Sequence, residues 1–365
     1  MKTKVYIQYP WKVSDSQYYK SMIDNPPKDI EYIFEDIKIG MITSKAKLSF
    51  RNFFKRTIRT TLEKIQVPIL NIKKTKNTKD FDVIHNAHCL SSNDNPWVAD
   101  FESLWQMWVS GRDTKTGMDR VSKVLKKDSC KKIIAWTEST KKEIEKTFPE
   151  VKEKITVVHY GMVSQKFKKV KSEKVRLLFI ARYFEGKGGL HTLEVFDRIT
   201  KKYENVEATV ISEVPKNIKE KYSSNKNIKF SGLLPHKEII ENIYPNTDIM
   251  VYPGYSDTFG FALVEALAFG IPIITVDGKS RKDIISNGKT GFVIERDCEK
   301  EWYPKDKEEE RIVDEIEART TELIDDRWTR EEMSEEGIKI VKEGKFSIEN
   351  RNKKLKEIYN EARNI

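Results

Sequence analysis

The sequence predicts an α/β protein of two doubly wound domains. Three observations carry this. The chain has 365 residues, more than one usual domain holds. Short β-branched runs alternate with helical stretches throughout. A polar, charged segment, SQKFKKVKSEK (164–174), separates the two halves. Apolar residues make up 38% and aromatics 10%, enough for real cores; the 34% charged residues mix both signs, as a solvated globular surface does.

The first-half runs are KVYIQY (4–9), IEYIFE (30–35), DVIHNA (82–87), WVADF (97–101), KIIAWT (132–137) and ITVVHY (155–160). The second-half runs are VRLLFIA (175–181), VEATVIS (206–212), IKFSG (228–232), IMVYP (249–253), IPIITV (271–276) and GFVIE (291–295). Strands spaced by helices predict βαβ units and parallel sheets. Several runs are apolar on both faces, as strands covered on both sides should be. The expected boundaries are an N-terminal domain over 1–165, a linker over 166–174 and a C-terminal domain over 175–346. The tail from about Lys305 is charged and helical. Ligands of such sheets bind outside the carboxyl ends of the strands, here in a cleft between the domains.

Cys89, Cys130 and Cys298 are far apart and form no CxxC, which predicts a reducing compartment and no structural metal site. MKTKVYIQYPW enters a strand pattern with no secretory apolar core, and no run of 18 apolar residues occurs. A cytoplasmic protein is expected. The net charge of +10 suits an anionic partner, such as a nucleotide, nucleic acid or acidic lipid surface. A lysine-rich proteome would give the same balance.

The second half carries a constellation. VRLLFIA leads to Arg182, then Lys187, then Gly188-Gly189 and the helical stretch LHTLEVFDRI. Two cations at a strand's carboxyl end, beside a glycine-opened helix, suit a diphosphate; two surface cations are the other reading. SDTFGFALVEALAFGIP (256–272) then places Phe259-Gly260-Phe261 before an apolar helix whose one charge is Glu265. Gly260 lets backbone N–H groups approach a ligand, and the helix terminus adds positive potential. Glu265 could accept from two sugar hydroxyls or sit in a structural ion pair. Asp257 could bind a second sugar or cap the helix.

Taken in order, these segments resemble the C-terminal domain of retaining GT-B glycosyltransferases, glycosyltransferase family 4. The pattern runs R-x4-K-G (Arg182–Gly188), the loop at Pro253, acidic-x7-Glu (Asp257–Glu265), EALAFGIPIITVDG and NGKTGFVIE. KIIAWTESTKKEI, KITVVHYGM and FSIENRNKKLKEIYNEA are similar to the family's hinge-leading segments and to a terminal helix that completes the N-terminal domain, here 347–365. The resemblance implies the GT-B fold and transfer of a hexose-type sugar from a UDP- or GDP-sugar, with retention and without a metal or other cofactor. It implies that Arg182 and Lys187 bind the diphosphate, amides at Phe259, Gly260 and Phe261 bind donor phosphate or sugar, Glu265 binds the ribose and Asp257 the transferred sugar. The leaving phosphate itself could take the acceptor proton.

Three departures stand out. Asp257 takes the place of the usual Glu. The loop PWKVSDSQYY has no glycine. Glu102, in PWVADFES, stands where the family often has a catalytic-site His. Glu102 could stabilise an oxocarbenium-like transition state, bind a sugar hydroxyl, or be an ordinary loop acid. His85 and His88, in DVIHNAHC, end a strand facing the cleft, as core groups, as supports, or as contacts to the acceptor. Trp105 and Trp108 suit stacking on sugars or simple core packing.

Residues 44–66 mix Lys and Arg with Phe, Leu and Ile, as a helix lying on an anionic membrane does, or as a packing helix with a solvated face does. On the first reading the acceptor is a lipid or lipid-linked glycan and the protein is peripheral. Asp80-Phe81-Asp82 precedes a strand and reads as a turn, not as the metal-gripping D-x-D of other glycosyltransferases. Gly288-Lys289-Thr290 lacks the upstream glycine of a P-loop and runs into a strand, so no nucleic-acid or NTPase role is expected. The remaining alternatives are a sugar-nucleotide epimerase or phosphorylase of the same fold, or a catalytically inactive partner subunit.

Overall fold

A computed structural model describes residues 2–9, 17–34, 66–76, 79–255, 257–296 and 306–363. The chain divides into two units: Met1–Gly161 with Ile348–Ile365, and Met162–Ser347.

The first unit holds a six-stranded sheet of β1 (Thr3–Gln8), β2 (Ile30–Ile33), β3 (Val83–Ala87), β4 (Trp97–Phe101), β5 (Cys130–Ala135) and β6 (Ile155–Val157). The order is β6-β5-β4-β3-β1-β2, and every pairing is parallel. Every residue of β3 and β4 is buried, as central strands of a covered sheet require. Ile84, Trp97, Ala99 and Phe101 form the core there with Val121, Leu125 and Ile144 from neighbouring helices. The chain order reverses between β1 and β3, which makes this the switch point of the sheet.

The helix Ile348–Arg363 belongs to this unit. Its buried Arg351 donates to Ser21 Oγ at 2.8 Å and to the Asn25 carbonyl at 2.7 Å. Lys354 donates to the Val157 carbonyl at 3.0 Å. A guanidinium can lose so much water only because carbonyl and hydroxyl oxygens replace it.

The second unit holds β7 (Val175–Ile180), β8 (Val206–Ile211), β9 (Ile228–Ser231), β10 (Ile249–Val251), β11 (Ile273–Val276) and β12 (Gly291–Ile294). Its order is β9-β8-β7-β10-β11-β12, again all parallel, which is the dinucleotide-fold order with its switch point between β7 and β10. Residues 166–174, expected as a linker, are held on this unit. Val170 N–H donates to the Pro245 carbonyl at 3.1 Å, Arg176 donates to the Val170 carbonyl at 2.8 Å, and Lys169 lies 3.5 Å from Asp248.

The twelve expected runs correspond to the twelve strands of these sheets, with their ends shifted. IEYIFE stops at Ile33, and KIIAWT begins earlier, at Cys130, and leaves the sheet at Trp136. Strands end where their partners end: β6 offers only three residues to β5. Four shorter strands, at 69–70, 72–73, 90–91 and 108–110, were not expected, because two or three residues carry no period.

Candidate functional site

In the second unit, the loops after β7 and β10 meet at the switch point. After β7 comes Arg182, exposed and without a partner among the described residues. A single turn over Glu185–Lys187 then leads to Gly188 and the helix Gly189–Lys202. Gly188 has φ +82°, and a Cβ there would lie 2.6 Å from Pro253 Cβ. Only glycine permits this approach of the two loops. Gly254 N–H donates to the Lys187 carbonyl at 3.0 Å and ties the loops together.

That closeness sets the side chains. Lys187 Nζ lies 3.0 Å from Asp257 Oδ1. Asp257 Oδ2 accepts from the Tyr252 hydroxyl at 2.7 Å and lies 3.7 Å from the Arg281 guanidinium. Burial works against the Asp257 anion, but Arg281 and Lys187 outweigh it and hold the carboxyl below its ordinary range. Arg281 is fully buried and donates to the carbonyls of Gly254 at 2.7 Å, Asp257 at 3.2 Å and Phe259 at 3.2 Å. Ser280 Oγ also donates to the Phe259 carbonyl, at 2.7 Å. One arginine thus holds the whole turn that delivers Gly260.

Gly260 (φ +91°) opens the helix Phe261–Ala268, and no side chain caps its first turn. The positive end of that helix, with Lys187 and Arg281 beside the turn that leads into it, gives this carboxyl edge a positive potential.

Glu265 is almost fully buried in that helix. Its Oε1 lies 2.9 Å from His236 Nε2, and its Oε2 accepts from the Tyr244 hydroxyl at 3.0 Å. Burial first, and the Glu265 charge second, raise the Tyr244 hydroxyl well above its usual pKa. The lone carboxylate of the sequence is therefore paired within the protein. Each oxygen still has a lone pair to offer a ligand hydroxyl.

In the first unit, the carboxyl edge around β1, β3 and β4 is built differently. Asp100 is fully buried. It accepts a short hydrogen bond from the Tyr19 hydroxyl on Oδ1, and His85 Nε2 sits 3.1 Å from its Oδ2, off the line of a good hydrogen bond. Burial opposes the Asp100 charge, yet His85, His88 and Tyr19 together hold its carboxyl below the usual range. His85 Nδ1 is 2.6 Å from the Tyr359 hydroxyl. Of the roles left open for His85, the structure shows the core one. His85 sits in the middle of a central strand and is sealed by the C-terminal helix.

His88, one residue beyond β3, is half-buried with φ +53°. Glu102 is half-buried just after β4; its N–H donates to Gln106 Oε1 at 2.9 Å, and its carbonyl accepts from Thr140 Oγ1 at 2.7 Å. Trp105 is half-buried in the turn Leu104–Met107, while Trp108 is buried and donates to the Gly117 carbonyl at 3.1 Å. Trp108 is thus a core residue.

Several members of these clusters were not singled out in the sequence: Arg281, Tyr252, Tyr244, His236, Asp100, Tyr19 and Gln106. Asp100 did carry a signal, a lone carboxylate in the apolar run WVADF, the same clue that marked Glu265. Arg281 carried none, since GKSRKD reads as exposed. Asp82, in the suspected metal motif, accepts from Lys4 N–H at 2.8 Å at the entry to β3. Among the described residues no group of three or more His, Cys, Asp or Glu gathers as a metal cage. Also among them, no helix is long and apolar enough to cross a membrane. The basic segment 44–66, apart from Gln66, and most of the glycine-free loop after β1 lie outside the described residues.

Two Rossmann-like units of this topology are the GT-B fold of known glycosyltransferases. Residues 163–305, all within the second unit, match the family model of glycosyl transferases group 1. Over 249 residues the chain is 28% identical to the capsular polysaccharide biosynthesis glycosyltransferase CapM of Staphylococcus aureus, covering 62% of this chain and 61% of CapM. A crystal structure of a glycosyltransferase from Rickettsia africae superposes with a TM-score of 0.64 at 15% identity, covering 99% of this chain and 98% of that one. HepE of Anabaena in complex with UDP gives 0.62 at 12%, covering 99% and 100%. At such identities the structural likeness is one of fold. The chain spans 61%, 34% and 55% of the first three curated relatives it matches, less than two thirds of each, so their activities reach this chain only as proposals.

Proposed function

We propose that this protein transfers a hexose-type sugar from a UDP- or GDP-sugar to a hydroxyl of a glycan or lipid-linked acceptor, with retention of configuration and without a metal ion. The observation that carries the reading is the loop pair at the β7/β10 switch point, where Lys187 and Arg281 surround Asp257 beside the Gly260-opened helix. The group 1 match covers those same loops.

In this reading the leaving diphosphate takes Lys187, Arg182 and the first-turn amides of the helix Phe261–Ala268. Negative charge grows on the diphosphate as the glycosyl bond breaks, and a preorganised donor facing it contributes about 3 kcal/mol. Asp257, released from Lys187, accepts from hydroxyls of the transferred sugar. The exchange couples the two ends of the donor: the diphosphate frees the carboxylate that the sugar needs. Glu265 accepts from the ribose hydroxyls while His236 and Tyr244 keep it oriented. Glu102 stands on the first unit as the carboxylate nearest the place of the family's usual His. The leaving phosphate takes the acceptor proton. Peripheral attachment through 44–66, at an anionic cytoplasmic surface, would bring the enzyme to a lipid-linked acceptor.

The test is calorimetry of UDP, GDP, ADP and their sugar conjugates on the native chain and on Lys187→Ala. One nucleotide sugar should bind the native chain, and the variant should weaken it about 100-fold, the loss of one charged diphosphate contact. Lys187→Ala with undiminished affinity, or no nucleotide bound by either protein, would end this reading. Binding without transfer to any acceptor would favour the partner-subunit alternative, for which the Glu102 departure is the motive.

A further inference from the structure

Gln106 lies at the centre of a small polar arrangement that the proposed chemistry does not use. Its side-chain oxygen Oε1 accepts from the Glu102 N–H at 2.9 Å and the Ser103 N–H at 3.3 Å. Backbone N–H groups only donate, so the oxygen of the amide, and not its nitrogen, must face them. The same oxygen lies 2.9 Å from His88 Nδ1. An amide oxygen cannot donate, so Nδ1 must carry the hydrogen. In the neutral ring the lone pair is then on Nε2. Nε2 has no partner among the described residues, and the ring is half-buried.

Everything else about His88 is held in place. Its backbone is in the left-handed region, uncommon for a residue with a side chain. Its N–H donates to the Asp100 carbonyl and to Asp100 Oδ1, both at 3.2 Å. Its carbonyl accepts from Asn71 Nδ2 at 2.6 Å, and the same Asn71 nitrogen donates to the Gln106 carbonyl at 2.9 Å. The ring meets the edge of Tyr19 at 5.3 Å and packs against Trp136 at 4.9 Å between centroids. Tyr19 is itself fixed by Asp100. A backbone outlier held by so many bonds is the pattern of a functional position. His88 is also the first residue past β3, beside the switch point of its sheet, on the side where ligands of such sheets bind.

We infer that His88 Nε2 accepts a hydrogen bond from a hydroxyl of the sugar-like acceptor, and that Gln106 is the positioning residue that keeps the lone pair on Nε2. This rests on the proposed transferase reading for the identity of the ligand, an alcohol. It does not rest on donor chemistry. The arrangement gathers the His88 ring and the Glu102 backbone on one amide oxygen.

Nitrogen-resolved NMR of the full chain reads the tautomer directly. The neutral His88 ring should show hydrogen on Nδ1, and a panel of free hexoses and methyl hexosides should include one that shifts its Nε2 signal saturably. His88→Asn is the gentle variant, because Asn tolerates the left-handed backbone. It should fold, bind nucleotide sugar as the native chain does, and weaken the shifting hexoside about tenfold, as loss of one hydrogen bond does. Hydrogen found on Nε2, no sugar that reaches His88, or unchanged hexoside affinity in the variant each overturns the inference. Failure of nucleotide-sugar binding would instead strike the transferase reading, since the NMR measurement uses no donor.

Discussion

Each unit holds a carboxylate at the carboxyl edge of its parallel sheet, Asp100 in one and Asp257 in the other, and the two are held in opposite ways. Asp100 is sealed among a tyrosine hydroxyl, a histidine ring and a backbone N–H, with no lysine or arginine paired to it among the described residues. Asp257 sits between Lys187 and Arg281, with part of its surface still open. The same sheet architecture therefore presents an aromatic edge in one unit and a cationic, glycine-containing edge in the other. On the proposed reading the first takes hydroxyl groups and the second takes phosphate. The difference lies in the loops, since the strands beneath both edges are similarly apolar.

The comparison breaks first at the two carboxylates. Asp100→Ala should cost about 3–5 kcal/mol in urea unfolding, because the Tyr19 hydroxyl and the His85 ring stay buried without their partner. Asp257→Ala should cost less, about 1–2 kcal/mol, since Lys187 can turn to water and Arg281 keeps its three carbonyls. Equal losses would mean that the two edges are not different in kind.

Gly260→Ala sharpens the contrast at the backbone. At φ +91° a side chain costs about 1–2 kcal/mol, and the new Cβ would lie 3.1 Å from Asp257 Oδ2. Nucleotide-sugar affinity should fall along with stability, while the NMR signals of His88 stay where they are. An unchanged melting temperature would show that the turn has no need of glycine.

The most gradual effect is that of acid. Asp100, Asp248 and Asp257 all have folded-state values below the ordinary carboxylate value near 3.9. A depressed folded value contributes stability that is complete above the unfolded value and is lost as pH falls through the folded one. Between pH 7 and 5 these groups should leave stability flat, and the loss should begin near pH 4 and deepen below it. Asp257→Asn should lose less than the native chain on going from pH 5 to 3. A variant that loses as much would show that the Lys187–Asp257–Arg281 cluster is not linked to folding.

Much of the fold was legible in the sequence because burial on both faces of a parallel strand leaves a largely apolar run. That is why VRLLFIA, WVADF and IPIITV marked strands, and why their spacing marked βαβ units. The residues of the loops at the second switch point were legible for a related reason. Arg182, Lys187, Gly188, Asp257 and Gly260 sit in short loops next to those strands, so sequence position nearly determines spatial position. For His85 the sequence left a core role and an acceptor contact open. The residue that seals it, Tyr359, comes 274 residues later.

By itself the sequence determined the two parallel sheets, the loops that end their strands, and the glycines those loops need, since each follows from local periodicity and local φ. Only the tertiary structure decided the partners: Arg281 under the Asp257 turn, His236 and Tyr244 on Glu265, and Gln106 against His88. A hydrogen bond is specified by the position and direction of two atoms. When the chain between them is long, only the packed fold brings them within 3 Å of each other.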